Sequence, residues 1–172
     1  MSEDTFTVRP MTPADLPAVG RLAGKLVRMH HDLDPQRFID LPNVETGYAR
    51  YFSSELKNDE VVLLVAATGG EGTALVGYAY GRLEPRSYDD LLEAHGKLHD
   101  VYVEESARRT GLGAALATEV VRRLTEKGAP RVVLSTAVQN EAAQRLFAKL
   151  GFRTTMLEMT REAGGKGDPP RV

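Results

Sequence analysis

Hydrophobic positions alternate with polar ones from Thr5 to Pro10, a period of two that predicts a short strand ending at the proline. From Met11 to His31 the period changes: Leu16, Val19, Leu22, Leu26 and Met29 recur at helical spacing. Thr12 stands where an N-cap belongs, Pro13 at the first helical position and Asp15 in the first turn, so an amphipathic helix is expected there. Pro35 and Pro42 interrupt the pattern, and Val44 to Leu56 resumes it with Tyr48, Tyr51, Phe52 and Leu56 on one face of a second, shorter helix.

The run Glu60 to Thr68 is continuously apolar and β-branched, as expected of a strand covered on both faces. Gly69 to Gly72 is a turn signal, and Thr73 to Glu84 makes the second half of an antiparallel hairpin. Lys97 to Val103 predicts a third strand of this group. Beyond it, Gly111 to Glu126 carries small and apolar residues on one face, with Gly128 as its stop. Arg131 to Ala137 reads as a strand of the buried type, Asn140 to Gly151 as a short helix, and Phe152 to Glu162 as a final strand. Residues 1–162 form one domain in this reading, and 163–172, with little to bury, a loose tail. A hairpin followed by alternating strands and helices predicts the α/β class, with a mixed sheet and helices on both faces.

Composition narrows the functional classes. With 172 residues, 42% of them hydrophobic, the chain is long enough to bury a sizeable core. A formal charge of -2 gives no field to gather nucleic acid or an anionic membrane. The absence of cysteine excludes disulfides, thiolate metal sites and a cysteine nucleophile. The start MSEDTFTVRP has acids where a secretory signal carries a basic, then apolar, run, so a cytoplasmic protein with no membrane partner is expected.

Candidate chemistry concentrates in ARRTGLGAAL, Ala107 to Leu116, at a strand-to-helix corner. A helix start offers unpaired N–H groups and the positive end of the peptide dipoles, which an anion completes. Gly111 and Gly113 admit a phosphate close to the backbone, and Arg108 and Arg109 add charged donors. A P-loop would need Lys and Ser or Thr after Gly113, where Ala114 and Ala115 stand; a dinucleotide fingerprint would need Gly or Ala where Leu116 stands. The plain alternative is a glycine-bearing loop with two solvated arginines.

The stretch DVYVEESARRTGLGAAL resembles the acetyl-CoA-binding signature of the GNAT superfamily of N-acetyltransferases, through Arg108, Gly111 and Gly113. NEAAQRLFAKLGF is similar to that superfamily's second signature, through Asn140, Phe147, Gly151 and Phe152, and the first strand and helix also look alike. The resemblance spans roughly Thr5 to Glu162 and implies a largely antiparallel central sheet of the acetyltransferase fold. It further implies acetyl-CoA as cosubstrate. Amides of Arg109, Thr110, Gly111, Leu112, Gly113 and Ala114 would wrap the pyrophosphate, and the main chain of Val101, Tyr102 and Val103 would bond the pantetheine arm. Asn140 would bond the same arm, a role compatible with capping the helix it begins. The implied activity is acetyl transfer to a primary amine of a small molecule or peptide, by direct attack. A homodimer is the assembly common among similar proteins.

Such a transfer needs a base, because a protonated amine has no lone pair. A carboxylate on the strand of LHDVYV often serves in the resembling family, and His99 and Asp100 hold the candidate positions. Neighbours on a strand point to opposite faces, so one of the two is expected to face the substrate, His99 ahead of Asp100. The plain alternatives are an edge histidine and a strand-end salt bridge. Phe147 departs from the family, which often has tyrosine there to serve the leaving thiolate; water, another side chain such as Tyr102, or no acid at all, the thiolate being already a tolerable leaving group, are the alternatives, and no general acid is assigned. That departure keeps open a non-catalytic acyl-CoA-binding sensor or interaction module. Asp32, Asp34, Asp89, Asp90 and Glu93 would draw a cationic acceptor or are solvated surface; Tyr78, Tyr80 and Arg82 line a pocket or pack the sheet. His30 and His31 are read as capping or exposed, with no metal.

Overall fold

A computed structural model describes residues 6–69 and 74–163. Thr5, most of the Gly69 to Gly72 turn and residues 164–172 lie outside them. Five strands, β1 (Phe6–Pro10), β2 (Val61–Thr68), β3 (Leu75–Glu84), β4 (His95–Val103) and β5 (Val132–Leu134), form one sheet in sequence order. The first four are antiparallel to their neighbours and β5 runs parallel to β4. This is the mixed, largely antiparallel sheet expected.

Helices cover both faces. On one lie α1 (Leu16–Leu33) and α2 (Val44–Glu55), whose Leu22, Leu26 and Phe52 pack with Leu63, Val65 and Tyr78. On the other lies α3 (Leu112–Glu126), whose Leu116, Val120 and Leu124 pack with Val62, Leu64, Ala79 and Leu98. The alternation along β2 thus sends Val62 and Leu64 to α3 and Leu63 and Val65 to α1, which is why its sequence is apolar throughout. The short helix α4 (Glu141–Lys149) adds Phe147 to the α3 side. No helix among the described residues is long and apolar enough to cross a membrane.

Close approach sets two spacings. A Cβ on Gly20 of α1 would stand 2.5 Å from the Glu45 carbonyl oxygen, so α2 lies directly against the α1 backbone. A Cβ on Gly81 would stand 2.4 Å from Val120 Cγ1, so α3 sits equally tight on β3. The corner from β1 into α1 is tied by Asp15, which accepts two bonds from the Arg9 guanidinium at 2.7 and 2.8 Å and one each from the Thr12 amide and hydroxyl. Thr12 and Pro13 open a single 3₁₀ turn, Pro13–Asp15, before α1 proper.

Two sequence expectations are corrected. The strand at Arg131 to Ala137 shrinks to three half-buried residues. Phe152 to Glu162 forms no strand at all, and Met156, Leu157 and Met159 stand 79%, 74% and 91% exposed. Strand propensity supplies no ladder by itself: β5 pairs with β4 over three positions only and offers a short edge for another strand to extend.

Candidate active site

The glycine-rich segment sits where the sequence places it, between β4 and α3. Gly111 is the N-cap of α3 at φ 87°, a left-handed conformation that glycine adopts without a Cβ penalty, and Arg109 shares that region at φ 66°. The turn runs Ala107, Arg108 and then six residues, Arg109 to Ala114, whose amides find no acceptor among the described residues. The first helical bond is from the Ala115 amide to the Gly111 carbonyl. Arg109, Thr110 and Gly111 are exposed, Gly113 and Ala114 half-buried and Leu112 buried. Room is left over the turn: a Cβ on Gly111 would meet nothing within 4 Å, and one on Gly113 only Leu146 and Val103 at ordinary contact distance. The Thr110 hydroxyl donates to the Ala107 carbonyl at 2.8 Å and holds the turn shut.

Arg108 turns back toward the strand. Its Nε donates to the Val103 carbonyl at 3.0 Å and its guanidinium carbon lies 5.8 Å from the Tyr102 ring centre. It therefore anchors the loop to the end of β4 and takes up one main-chain acceptor there, while Arg109 projects outward. Next to this anchor the sheet opens. β4 pairs with β5 only from Gly96 to Leu98, so Val101, Tyr102 and Val103 have no strand on that side. An open edge running into a row of free amides is a fit for a molecule with a peptide-like arm and a diphosphate. Asn140 begins α4; its Oδ1 accepts from the Ala143 amide at 3.1 Å, the capping role, while its side-chain nitrogen has no partner among the described residues. Phe147 is half-buried and meets Phe152 edge-on at 5.8 Å, with no hydroxyl to offer.

The candidate bases are arranged otherwise than strand alternation predicts. Tyr80 on β3 opposes Asp100, and the next residue, Gly81, opposes Leu98, so His99 is an extra residue in a β-bulge. The bulge breaks the period of two and turns both His99 and Asp100 to the face of α1 and α2. The His99 ring stacks on Tyr80 at 4.8 Å between centres and 15° between planes, and its Nε2 lies 2.9 Å from Glu84 Oε1. Asp100 lies deeper and accepts from the Tyr78 hydroxyl at 3.0 Å. Burial pushes the Asp100 carboxyl above the usual aspartate range, and the hydrogen bond from Tyr78 opposes it only in part. Burial, with the Asp100 charge behind it, raises the Tyr48 hydroxyl to about 12 and the Tyr78 hydroxyl well above its ordinary value. Tyr51 and Tyr80 share a hydroxyl contact at 2.8 Å. The face around the bulge is thus a patch of tyrosines with one carboxyl below and one imidazole at its rim.

Sequence reasoning missed Glu84, because no periodicity shows that a bulge four residues into β4 brings His99 against it. It also left Tyr78 undecided between packing and pocket; the structure buries it fully in the packing under α1 and α2, with its hydroxyl bonded to Asp100. The acidic groups are not assembled. Asp34 caps the amides of Gln36 and Arg37, Asp90 accepts from Ser87, and Glu93 pairs with Arg86; no described contact joins Asp32 or Asp34 to the other three. His30 and His31 contact the Leu26 and Phe38 carbonyls through Nδ1. A cavity of about 490 Å³ lies elsewhere, lined by Met11, Leu56, Val61, Arg122 and Lys127 among others, and shares no residue with this site.

Known proteins are similar to this chain in sequence and fold. A D-amino-acid N-acetyltransferase from Saccharomyces cerevisiae is 27% identical over 90% of this chain and 89% of its own. A mycothiol acetyltransferase from Paenarthrobacter aurescens is 35% identical over 50% of this chain and 26% of its own; the chain spans 19% to 33% of the length of the mycothiol acetyltransferases it matches. Among solved structures, an aminoglycoside N-acetyltransferase in complex with CoA superimposes with a TM-score of 0.69, at 19% identity over 92% of this chain and 95% of that one. A sequence profile described as the acetyltransferase (GNAT) family matches residues 26–152, and with the sheet, the open edge and the amide-lined turn in place, the chain belongs to that family of acyl-transferring enzymes.

Proposed function

We propose that the protein moves an acetyl group from acetyl-CoA to a primary amine by direct attack, with both substrates bound at once, as a single domain acting in the cytoplasm. The observation that carries this reading is the row of unpartnered amides from Arg109 to Ala114 beside the unpaired edge of β4. Acetyl-CoA would supply the activated thioester. The amides would hold its diphosphate, Val101 to Val103 its pantetheine, and the free amide nitrogen of Asn140 the same arm. A β4 amide near Val101 would donate to the carbonyl oxygen as charge builds on it. His99 would accept the amine proton: its Nδ1 has no partner among the described residues, whereas Asp100 is deeper and already bonded to Tyr78. The tyrosines around the bulge would receive an amine from the α1 and α2 side. The acceptor is a small-molecule or peptide amine, and the homodimer expected from the resemblance belongs to the same reading.

A panel of D-amino acids, aminoglycosides, other small amines and peptide amines, incubated with acetyl-CoA, tests this by release of free CoA. Release that falls about a hundredfold in His99→Ala supports the reading, and unchanged release in both His99→Ala and Asp100→Ala removes the assigned bases. One observation favours a second reading. Phe147 has no hydroxyl for a leaving thiolate, which suits an acyl-CoA-binding sensor; tight binding of acetyl-CoA with no acetyl transfer across the panel would establish it.

A further inference from the structure

We infer that Glu84 is a positioning residue that keeps the His99 proton on Nε2 and leaves Nδ1 as the ring's one basic nitrogen; its catalytic meaning rests on the reading of His99 as base. Alternation along β3 puts Tyr80 and Glu84 on the α1 and α2 face, while Glu84 itself opposes His95 in the ladder, four residues before His99. The contact between Glu84 and His99 is therefore made by side chains across the sheet, not imposed by pairing. A carboxylate only accepts, so an Oε1 to Nε2 approach of 2.9 Å places the hydrogen on Nε2. Three features hold that arrangement. The ring lies flat on Tyr80, which fixes its plane. The Glu84 side chain makes no other hydrogen bond among the described residues, and the neighbouring Arg82 turns to Glu55. Both side chains of the pair are 27% exposed, open enough for an acceptor to reach the ring and covered enough to limit screening.

The consequence for the reaction is a defined proton path. As the amine nitrogen bonds to the acetyl carbon, the C–S bond breaks and its electron pair stays on the CoA sulfur. The proton lost by the amine goes to Nδ1, producing an imidazolium whose Nε2–H remains bonded to the Glu84 carboxylate, and His99 then returns it to solvent or to the thiolate. Glu84 gains no proton. It steadies the cation that His99 becomes, as the carboxylate behind a catalytic histidine does in other folds.

The test is nitrogen-15 NMR of the imidazoles in the full chain, with His99 assigned by its loss in His99→Ala. The expected spectrum shows neutral His99 in the Nε2–H form. In Glu84→Gln the amide can donate to Nε2 as well as accept from it, so the share of Nδ1–H is expected to rise, and in Glu84→Ala the ring is expected to fall back to the weak Nε2–H preference of a free imidazole. On the best acceptor of the amine panel, both variants should lower kcat about tenfold or more with acetyl-CoA affinity unchanged. The Glu84→Ala/His99→Ala double variant should be no slower than His99→Ala alone. An Nδ1–H ring in the parent protein, or the same tautomer ratio in parent and both variants, overturns the inference. Full activity in His99→Ala with the tautomer shift still present would instead refute the base and leave the Glu84 assignment standing. The spectrum decides even if no acceptor is found.

Discussion

The Tyr78 hydroxyl donates to Asp100 Oδ2 at 3.0 Å, on the same face of the sheet to which the β4 bulge turns His99. The two candidate bases therefore share one side of the molecule but not one environment: Asp100 is set below the tyrosines, His99 at their rim.

Burial that raises the Asp100 carboxyl has a stability consequence of definite sign. The folded state holds the carboxyl proton to higher pH than the unfolded chain, so ionising Asp100 costs stability as pH rises from the unfolded aspartate value near 4 through the folded one. Asp100→Asn keeps an acceptor for Tyr78 and removes that cost. Its Tm should exceed the parent's at pH 7, and the gain should fade toward pH 4 in paired thermal melts.

Asp15 behaves oppositely. The Arg9 guanidinium above all, with the Thr12 amide and hydroxyl, holds its carboxyl down to about 2, so its contribution is present above pH 4 and lost as pH falls toward 2. The shift corresponds to about 2 kcal/mol. Urea unfolding should find Asp15→Asn less stable by about that amount at pH 7 and by little near pH 2.

Two glycines should respond with opposite sign to the same substitution. Gly47 lies inside α2 with open space around its missing Cβ, so Gly47→Ala should stabilise by about 0.5–1 kcal/mol. Gly111 has just as much space but a φ of 87°, so Gly111→Ala should cost about 1 kcal/mol and weaken coenzyme A binding. Denaturant midpoints and a coenzyme A titration check both.

Asn140 carries two roles that one variant separates. Asn140→Asp retains an oxygen to cap Ala143 but loses the amide hydrogens, so stability should hold while coenzyme A affinity falls severalfold. Unchanged affinity would reduce Asn140 to its cap.

How far the sequence reaches is visible in particular residues. The apolar run of β2, the hairpin with β3 and the amphipathic α1 and α3 were legible because each records its burial in a local period, and all formed. The place of the Gly111 turn was legible from its glycines at a strand-to-helix corner; the left-handed conformation that Gly111 adopts there came only from the structure. The exposed course of Phe152 to Glu162 was not legible, because its strand-like composition says nothing about whether an edge is waiting for it.

By itself, then, the sequence determined which segments become strands and helices in most of the chain, the sheet class, and the place of the glycine-bearing turn, since side-chain period and backbone conformational cost are local properties. Only the tertiary structure decided that His99 and Asp100 face the same way, that Glu84 meets one and Tyr78 the other, and that β4 parts from β5 after Leu98. A bulge is one extra residue in a ladder, defined by which residue stands opposite which, and that correspondence exists only once two distant stretches of chain have paired.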